Sequence, residues 1–486
     1  MGHGLPLIRG RTPTHLLRGT NGSQEVAWRD SKTVPAGMDS ASKRVRGAEI
    51  PTVKRWLKRV AGGSVGGQNF VALTIGQSVF AATSWGVLSA LALLGSAEDV
   101  GELAFALAIV TPLFAISKLR LRSVVATDVG HEYPLSDYVS TGLAGAVVSI
   151  PIALALSALF GETGDITAVV GWVALSRAFE SMSHLSYGYQ QRTDRMTPIG
   201  ISVGARGVLS LALAAGAFAF TGSVVWAAAG LALGHAVPFV LYDYGFLKRG
   251  LSEAGESTGP SWPSSRRLFI ATLPLGLFAF LMALTDNIPR LVLNEQSGLA
   301  ELGVFATFGF TVTGVTAVTR ALDSAASPRI ARALSRRDVT MVRQRIRGLT
   351  VVASLIGALA LILALTVGES FLDLAFGPEF AAYAAEFSWM AVYAWMVLVF
   401  AGWTVTLLAA RKFKEQLYIQ IATVAVVFVA GLILIPRYGV MGAVESLLAG
   451  GLVRLVLTAA AVRGVIRAVG EATHRHEVAQ DGPGAR

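Results

Sequence analysis

Three arginines interrupt stretches that are otherwise apolar for about twenty residues: Arg177, Arg206 and Arg454. A guanidinium in hydrocarbon costs at least ~2.5–3.5 kcal/mol unless it faces a polar cavity or a partner. Its planar fork of donors also chelates carboxylate or phosphate oxygens through two parallel hydrogen bonds. Each of these residues therefore marks either an ion pair or an anion site. Arg177 has Glu180 one helical turn away, and that pair can neutralise itself. Arg206 has no partner nearby in sequence, which favours ligand contact. Arg454 can pair with acids of neighbouring stretches. Asn287 and Arg290 stand together after another apolar run, placed for ligand contact or gating. Glu180, His235, Glu386 and Glu445 complete the set of candidate cavity groups. A buried carboxylate among them could carry a proton; the simpler role is a satisfied packing contact.

Other chemistries find no support. There is no GxxxxGK[ST] phosphate loop, no HExxH, no GxSxG elbow and no metal-spaced cluster of His, Asp and Glu. The chain has no cysteine, so disulfides and thiolate metal sites are excluded. No cofactor and no built-in enzymatic activity are expected.

The elements that must position these residues are membrane-spanning helices. A hydrocarbon core of ~30 Å needs roughly 20 apolar residues of helix. Twelve stretches qualify: 69–94, 102–118, 138–160, 166–187, 198–220, 223–246, 268–287, 302–319, 349–367, 384–409, 416–435 and 440–462. Composition agrees, with 53% hydrophobic and only 15% charged residues and a mean hydropathy of +0.57. Soluble chains carry nearer 25% charge. No cleavable signal peptide is expected, because the first sixty residues are polar and basic.

Charge sets the orientation. Of 41 Lys and Arg, all but Arg177, Arg206, Arg290, Arg437 and Arg454 lie in the N-terminal tail, in the even-numbered turns or after the last stretch. The odd-numbered turns carry Glu98, Asp99, Glu162, Asp165, Glu295, Glu369, Asp373 and Glu379. Basic turns stay in the cytoplasm, so both termini are expected there. The same distribution argues against nucleic acid, which asks for one basic face. Asp286 is placed at the outer end of the seventh stretch, leaving the interiors of stretches one and seven without acids.

The predicted organisation is a disordered basic cytoplasmic tail (1–50), an amphipathic helix lying on the membrane surface (51–66), a six-helix bundle (69–247), a cytoplasmic linker (248–267), a second six-helix bundle (268–465) and a C-terminal tail (466–486). In the second segment Val53, Trp56, Leu57 and Val60 share one helical face, opposite Lys54, Arg55, Lys58 and Arg59. The Arg-rich turn 323–348 is long enough for another surface helix. GELAFALAI (101–109) and AELGVFATF (300–308) open the second and eighth stretches alike. Six spans per half would place the halves in parallel, about an axis along the membrane normal.

Several motifs then fall in order. SRAFESMSHLSYGYQQRTDRM (176–196) resembles the signature after the fourth span of bacterial polysaccharide and oligosaccharide flippases. TDNIPRLVLNEQSGLAELGVFA (285–306), SPRIARAL (327–334), FGPEFAAYA (376–384), AARKFKEQL (409–417) and LIPRYGVMGAVES (434–446) are similar to later stations of that family. His184 stands where the pattern commonly has Asp, and Tyr189 where it has Phe or Leu. The resemblance is to the polysaccharide branch of the multidrug/oligosaccharidyl-lipid/polysaccharide exporter superfamily. It implies an all-α integral membrane protein of about 12 helices in two bundles forming a V. It also implies alternating access and a polyprenyl-diphosphate-linked oligosaccharide as cargo, moved from the inner to the outer leaflet of the bacterial cytoplasmic membrane. The expected partners are that lipid, the membrane lipids, and glycosyltransferases and a polymerase of the same pathway. On this reading Arg177, Arg206, Arg454, Arg290 and Asn287 would serve the diphosphate or sugar. The alternatives are a small-molecule exporter and, from another class, a membrane-embedded polymerase or acyltransferase. The latter should carry large outer loops with paired Arg, His or Asp, and the outer turns here are short and lack His.

Overall fold

A computed structural model describes residues 65–128, 130–161, 163–253 and 261–480. The expected tail 1–50 and most of the surface helix 51–66 lie outside these residues, as do 254–260 of the linker and 481–486. Val65 and Gly66 already belong to the first helix.

Every regular element among the described residues is helical. In chain order they are α1 (Val65–Leu94), α2 (Ala97–Ser117), α3 (Leu121–Thr127), α4 (Leu135–Leu159), α5 (Asp165–Arg192), α6 (Met196–Thr221) and α7 (Val224–Pro238). One π-turn, Phe239–Asp243, joins α7 to α8 (Tyr244–Glu253). There follow α9 (Trp262–Ser297), α10 (Leu299–Ser335), α11 (Val339–Phe376), α12 (Pro378–Ala381), α13 (Ala384–Ala409) and α14 (Phe413–Gln480). The last is two crossings joined at Gly439, whose φ of 52° and ψ of −127° break the helix. Glycine alone adopts that backbone freely.

These elements account for the twelve predicted stretches in order. Nine helices among the described residues are long and apolar enough to cross a membrane. Helix α5 is not among them, although it occupies the fourth stretch. Its polar residues, Arg177, Glu180, Ser181 and His184 among them, lower its hydropathy because they face a cavity rather than lipid. The lipid-sized surface lies elsewhere, on exposed residues such as Leu355, Leu359 and Ile362 of α11. With no hydrophobic drive between helices in lipid, packing and internal hydrogen bonds hold the bundle together.

Two expectations are corrected. The basic turn 323–348 forms no separate surface helix. Helix α10 runs on through Ser335 and α11 starts at Val339, with Asp338 accepting the Met341 amide as its cap. Helix α9 likewise runs to Ser297, well past residue 287. Asp286, Asn287 and Arg290 therefore lie inside a helix, not at its outer mouth.

Helix α1 packs on α6, α6 on α7, and α5 on both α4 and α7. Later in the chain α11 packs on α13, α9 on α14, and α13 on α10 and α14. The early and late helices meet chiefly where α2 lies against α9 and α10. The acidic turns converge at one end. Ala97 N donates to Glu379 Oε1 at 2.6 Å, and Ser89 Oγ donates to the Ala375 carbonyl. The first residues of α2 and α10 touch so closely that a Cβ on Gly303 would stand 1.8 Å from the Ala97 carbonyl oxygen. At the other end the basic turns converge. Asn69 bridges to Asp194 and Thr197, and Asp137 Oδ1 accepts Ser261 N and Ser265 Oγ, each at 3.0 Å. At the acidic end the early and late helices thus pack main chain to main chain.

Candidate functional site

Residues 177, 180, 181 and 184 recur at helical spacing, so Arg177, Glu180, Ser181 and His184 share one face of α5. Glu180 is only 7% exposed, and its carboxylate organises the site. Oε2 accepts from Arg177 Nη1 at 2.9 Å and from Lys118 Nζ at 3.0 Å. Oε1 faces His184 Nε2 at 3.8 Å and Arg206 Nη2 at 3.9 Å. Lys118 is the residue that caps the C-terminus of α2, and α6 supplies Arg206. Three separate helices thus deliver cations to one carboxylate.

Arg206 is 3% exposed, and its guanidinium lies 4.7 Å from the centre of the Phe80 ring. Its Nε and Nη1 have no hydrogen-bond partner, and neither does Arg177 Nε. Arg122 sits over Tyr187 at 5.2 Å and donates Nε to Gln191. Three basic side chains, Lys118, Arg177 and Arg206, surround a single carboxylate. The cluster holds more basic than acidic side chains, and three of its guanidinium nitrogens are buried without a hydrogen-bond partner. That arrangement suits an anion with several oxygens.

Two hollows adjoin this cluster. One, of about 750 Å³, is lined by Gln77, Lys118, Arg120, Arg122, His184 and Arg206 and reaches the basic turn after α2. The other, of about 230 Å³, is lined by Phe80, Ser84, Arg177, His235 and Arg290. Arg177 and Arg290, 113 positions apart by their numbers, thus share a cavity between the early and late helices.

The remaining predicted residues divide. Arg290 Nη1 donates to Asn287 Oδ1 at 3.0 Å, and its Nε has no partner. Asn287 is 2% exposed and donates to the Ala283 carbonyl, so it orients Arg290 and does not line the cavity. His235 lines the smaller hollow with Nδ1 held near the Leu231 carbonyl (2.9 Å) and Ser210 Oγ (3.2 Å). Arg454 is elsewhere. It lies 4.3 Å from the centre of the Phe400 ring, with Nη2 3.6 Å from Met282 Sδ, beside a hollow of only about 10 Å³. Its ionisable neighbours are Tyr393 and Asp286. Glu386 sits in the first turn of α13 and Glu445 just beyond Gly439; neither lines the two hollows.

Lys118 and His184 escaped the sequence reading as site residues. Lys118 looks like one more topological charge at the end of an apolar stretch. The four-residue spacing from Glu180 to His184 was the available signal for the second. Among the described residues no group of three His, Cys, Asp or Glu could hold a metal.

No protein-family model matches the chain. It is similar to the capsular polysaccharide biosynthesis protein CapF of Staphylococcus aureus, 25% identical over 391 residues, covering 80% of this chain and 97% of that protein. Solved structures share the fold. An inward-facing multidrug resistance MATE family transporter of the MOP superfamily overlays with a TM-score of 0.66, 12% identity and coverage of 83% of this chain and 99% of that one. An outward-facing multidrug resistance MATE transporter gives 0.56, with 14% identity and coverage of 85% and 98%. A MOP superfamily transporter from Pyrococcus furiosus, described as having a binding pocket of reversed polarity, gives 0.57 with 14% identity and coverage of 85% and 98%.

Proposed function

We propose that this chain, a multi-pass membrane protein with the fold of MATE transporters, is a flippase for a polyprenyl-diphosphate-linked oligosaccharide. It moves the lipid from the cytoplasmic to the outer leaflet of the cytoplasmic membrane, for assembly of a cell-surface polysaccharide.

The observation that carries this reading is the set of unpartnered guanidinium donors around Glu180. Arg177 Nε, Arg206 Nε and Arg206 Nη1 are buried without acceptors, in a cluster where cations outnumber the carboxylate three to one. A diphosphate brings the matching negative charge and a surplus of acceptor oxygens. Such charge-assisted pairs are about twice as strong as neutral hydrogen bonds. A cationic small molecule, one cargo open to the rival exporter reading, would meet net repulsion here.

The close packing at the acidic end supports an access cycle. With basic turns on the cytoplasmic side, the larger hollow opens toward the leaflet where such lipids are made. The closer overlay with an inward-facing transporter agrees with that state. The likeness to CapF supports a role in polysaccharide biosynthesis.

The test is genetic and biochemical. Deletion should trap lipid-linked repeat units in the inner leaflet. Lys118→Ala, Arg177→Ala and Arg206→Ala should each lower export at least tenfold while leaving folded protein in the membrane; Lys118→Arg should restore most of it. Unchanged intermediates together with altered drug sensitivity would transfer the assignment to small-molecule export.

A further inference from the structure

Helix α2 meets the late helices main chain to main chain, whereas α1 meets α11 through its side chains. Trp85 and Ser89 stand four positions apart and share one face of α1. Phe371, Ala375 and Phe376, at spacings of four and five, share one face of α11. The Trp85 indole stacks on the Phe371 ring, with centroids 6.0 Å apart and planes inclined by 11°. It meets Phe376 edge to face at 6.2 Å and 78°. Ser89 Oγ, one turn further along, donates to the Ala375 carbonyl.

The strip continues past the end of α11. Gly377, with a φ of 107°, turns the backbone in a way that suits glycine, and Glu379 follows in α12. Its Oε1 accepts the Ala97 amide at 2.6 Å. That amide is one of the N–H groups that the first turn of a helix leaves without an internal acceptor. Ser84, Val87 and Leu88, neighbours of Trp85 on α1, line the smaller hollow. The strip therefore runs from beside that cavity to the acidic end.

The rings on the late side are backed by others. Phe387 stacks behind Phe371 at 5.9 Å, and Phe380 lies 5.6 Å from Phe376. Phe376 and Phe380 are buried, while Phe371 keeps 40% of its surface exposed. Trp85 is the ring that reaches across from the early helices. Its Nε1 has no hydrogen-bond partner, so ring contact alone holds the indole there. Withdrawing it breaks no hydrogen bond of its own, and the Ser89 and Ala97 donors can exchange their acceptors for water at small net cost. Interlocked main chains, as between α2 and α10, have no such easy release.

We propose that this strip is a releasable latch: Trp85 and Ser89 of α1 part from Phe371, Ala375 and Phe376 of α11 when the smaller hollow opens toward the acidic end. Trp85 sets how often that opening occurs. The inference rests on the access cycle proposed above and is independent of the cargo.

Thiol labelling of the full chain in membrane vesicles tests it. Leu107→Cys puts a reporter in the smaller hollow of a chain that has no other cysteine. The vesicles are those in which Glu98→Cys reacts from the bath, so that an impermeant maleimide enters from the acidic end. Trp85→Ala and Phe371→Ala should each raise the labelling rate of Leu107→Cys about fivefold, because each removes the same stacked pair. The double variant should label no faster than the quicker single one, and Trp85→Phe should stay close to the unmodified rate. Labelling from the basic end in oppositely oriented vesicles should not rise. Phe371→Ala, on the exposed side of the strip, carries the test even where Trp85→Ala fails to fold. Unchanged labelling in Phe371→Ala would overturn the latch. So would independent effects that multiply in the double variant, or equal increases from both ends, which mark general loosening. No cargo enters this measurement, so its failure leaves the flippase reading standing, and normal lipid-linked intermediates in a deletion strain would leave the latch standing.

Discussion

Lys118 Nζ lies 3.0 Å from Glu180 Oε2, although the two residues are 62 positions apart. The contact ties the end of α2 to the middle of α5, and α2 is also the helix against which α9 and α10 pack. The Glu180 cluster is therefore tied directly to the helix on which the late helices pack. Glu180 is the carboxylate that Lys118, Arg177 and Arg206 share.

Glu180→Gln should accordingly separate stability from affinity. Breaking a buried ion pair on one side costs about 3–5 kcal/mol, so the variant should melt lower in detergent. The liberated cations should bind a soluble pyrophosphate ester more tightly than the unmodified chain does. Calorimetric titration gives the second quantity; equal or weaker binding in the variant would remove Glu180 as the internal counter-charge.

Arg454 offers the contrasting case. It stacks on Phe400 beside a hollow too small for a headgroup. Arg454→Ala should lower the melting midpoint through lost ring and Met282 contacts. Titration with the same pyrophosphate ester should give an affinity within about twofold of the unmodified chain, since additivity holds for sites without shared partners.

The acidic end gives a conformational prediction. Gly101 and Gly303 let α2 and α10 meet main chain to main chain, and a Cβ on Gly303 would be 1.8 Å from Ala97 O. Gly303→Ala should therefore push those helix ends apart and populate a state open at the acidic end. Because the chain has no cysteine, spin labels at Glu98→Cys and Gln296→Cys report the separation cleanly. Pulsed electron resonance should show a longer distance in the Gly303→Ala background.

Orientation is testable in the same cysteine-free background. With basic turns in the cytoplasm, Glu98→Cys should react with an impermeant maleimide added to intact cells. Ser335→Cys, at the exposed end of α10, should react only after the membrane is opened. The reverse pattern would invert the proposed direction of transport.

Much was legible in order along the chain. The spacing of apolar stretches and the alternation of charge between turns are local properties, and each helix satisfies its own backbone hydrogen bonds wherever it lies. The order of the helices and the positions of Arg177 and Arg206 within theirs followed from that. So did the pairing of Arg177 with Glu180, because three residues is one helical turn. Helix ends were read less well. Asn287 and Arg290 looked like loop residues because polarity there suggested water, whereas α9 continues, buries Asn287 and brings Arg290 to a cavity.

What sequence could not decide is which polar faces meet. Lys118 belonged to the topology of α2 until folding carried it to Glu180, and Arg454 left the cluster for the same reason. Asp243 stands in sequence near the end of the sixth stretch, yet it is sealed among hydroxyls from α5 and α6. Local pattern determines the rods and their polarity because those depend on neighbours within a turn or two. The cluster depends on close packing between helices distant in sequence, and only the assembled bundle sets which side chains face one another.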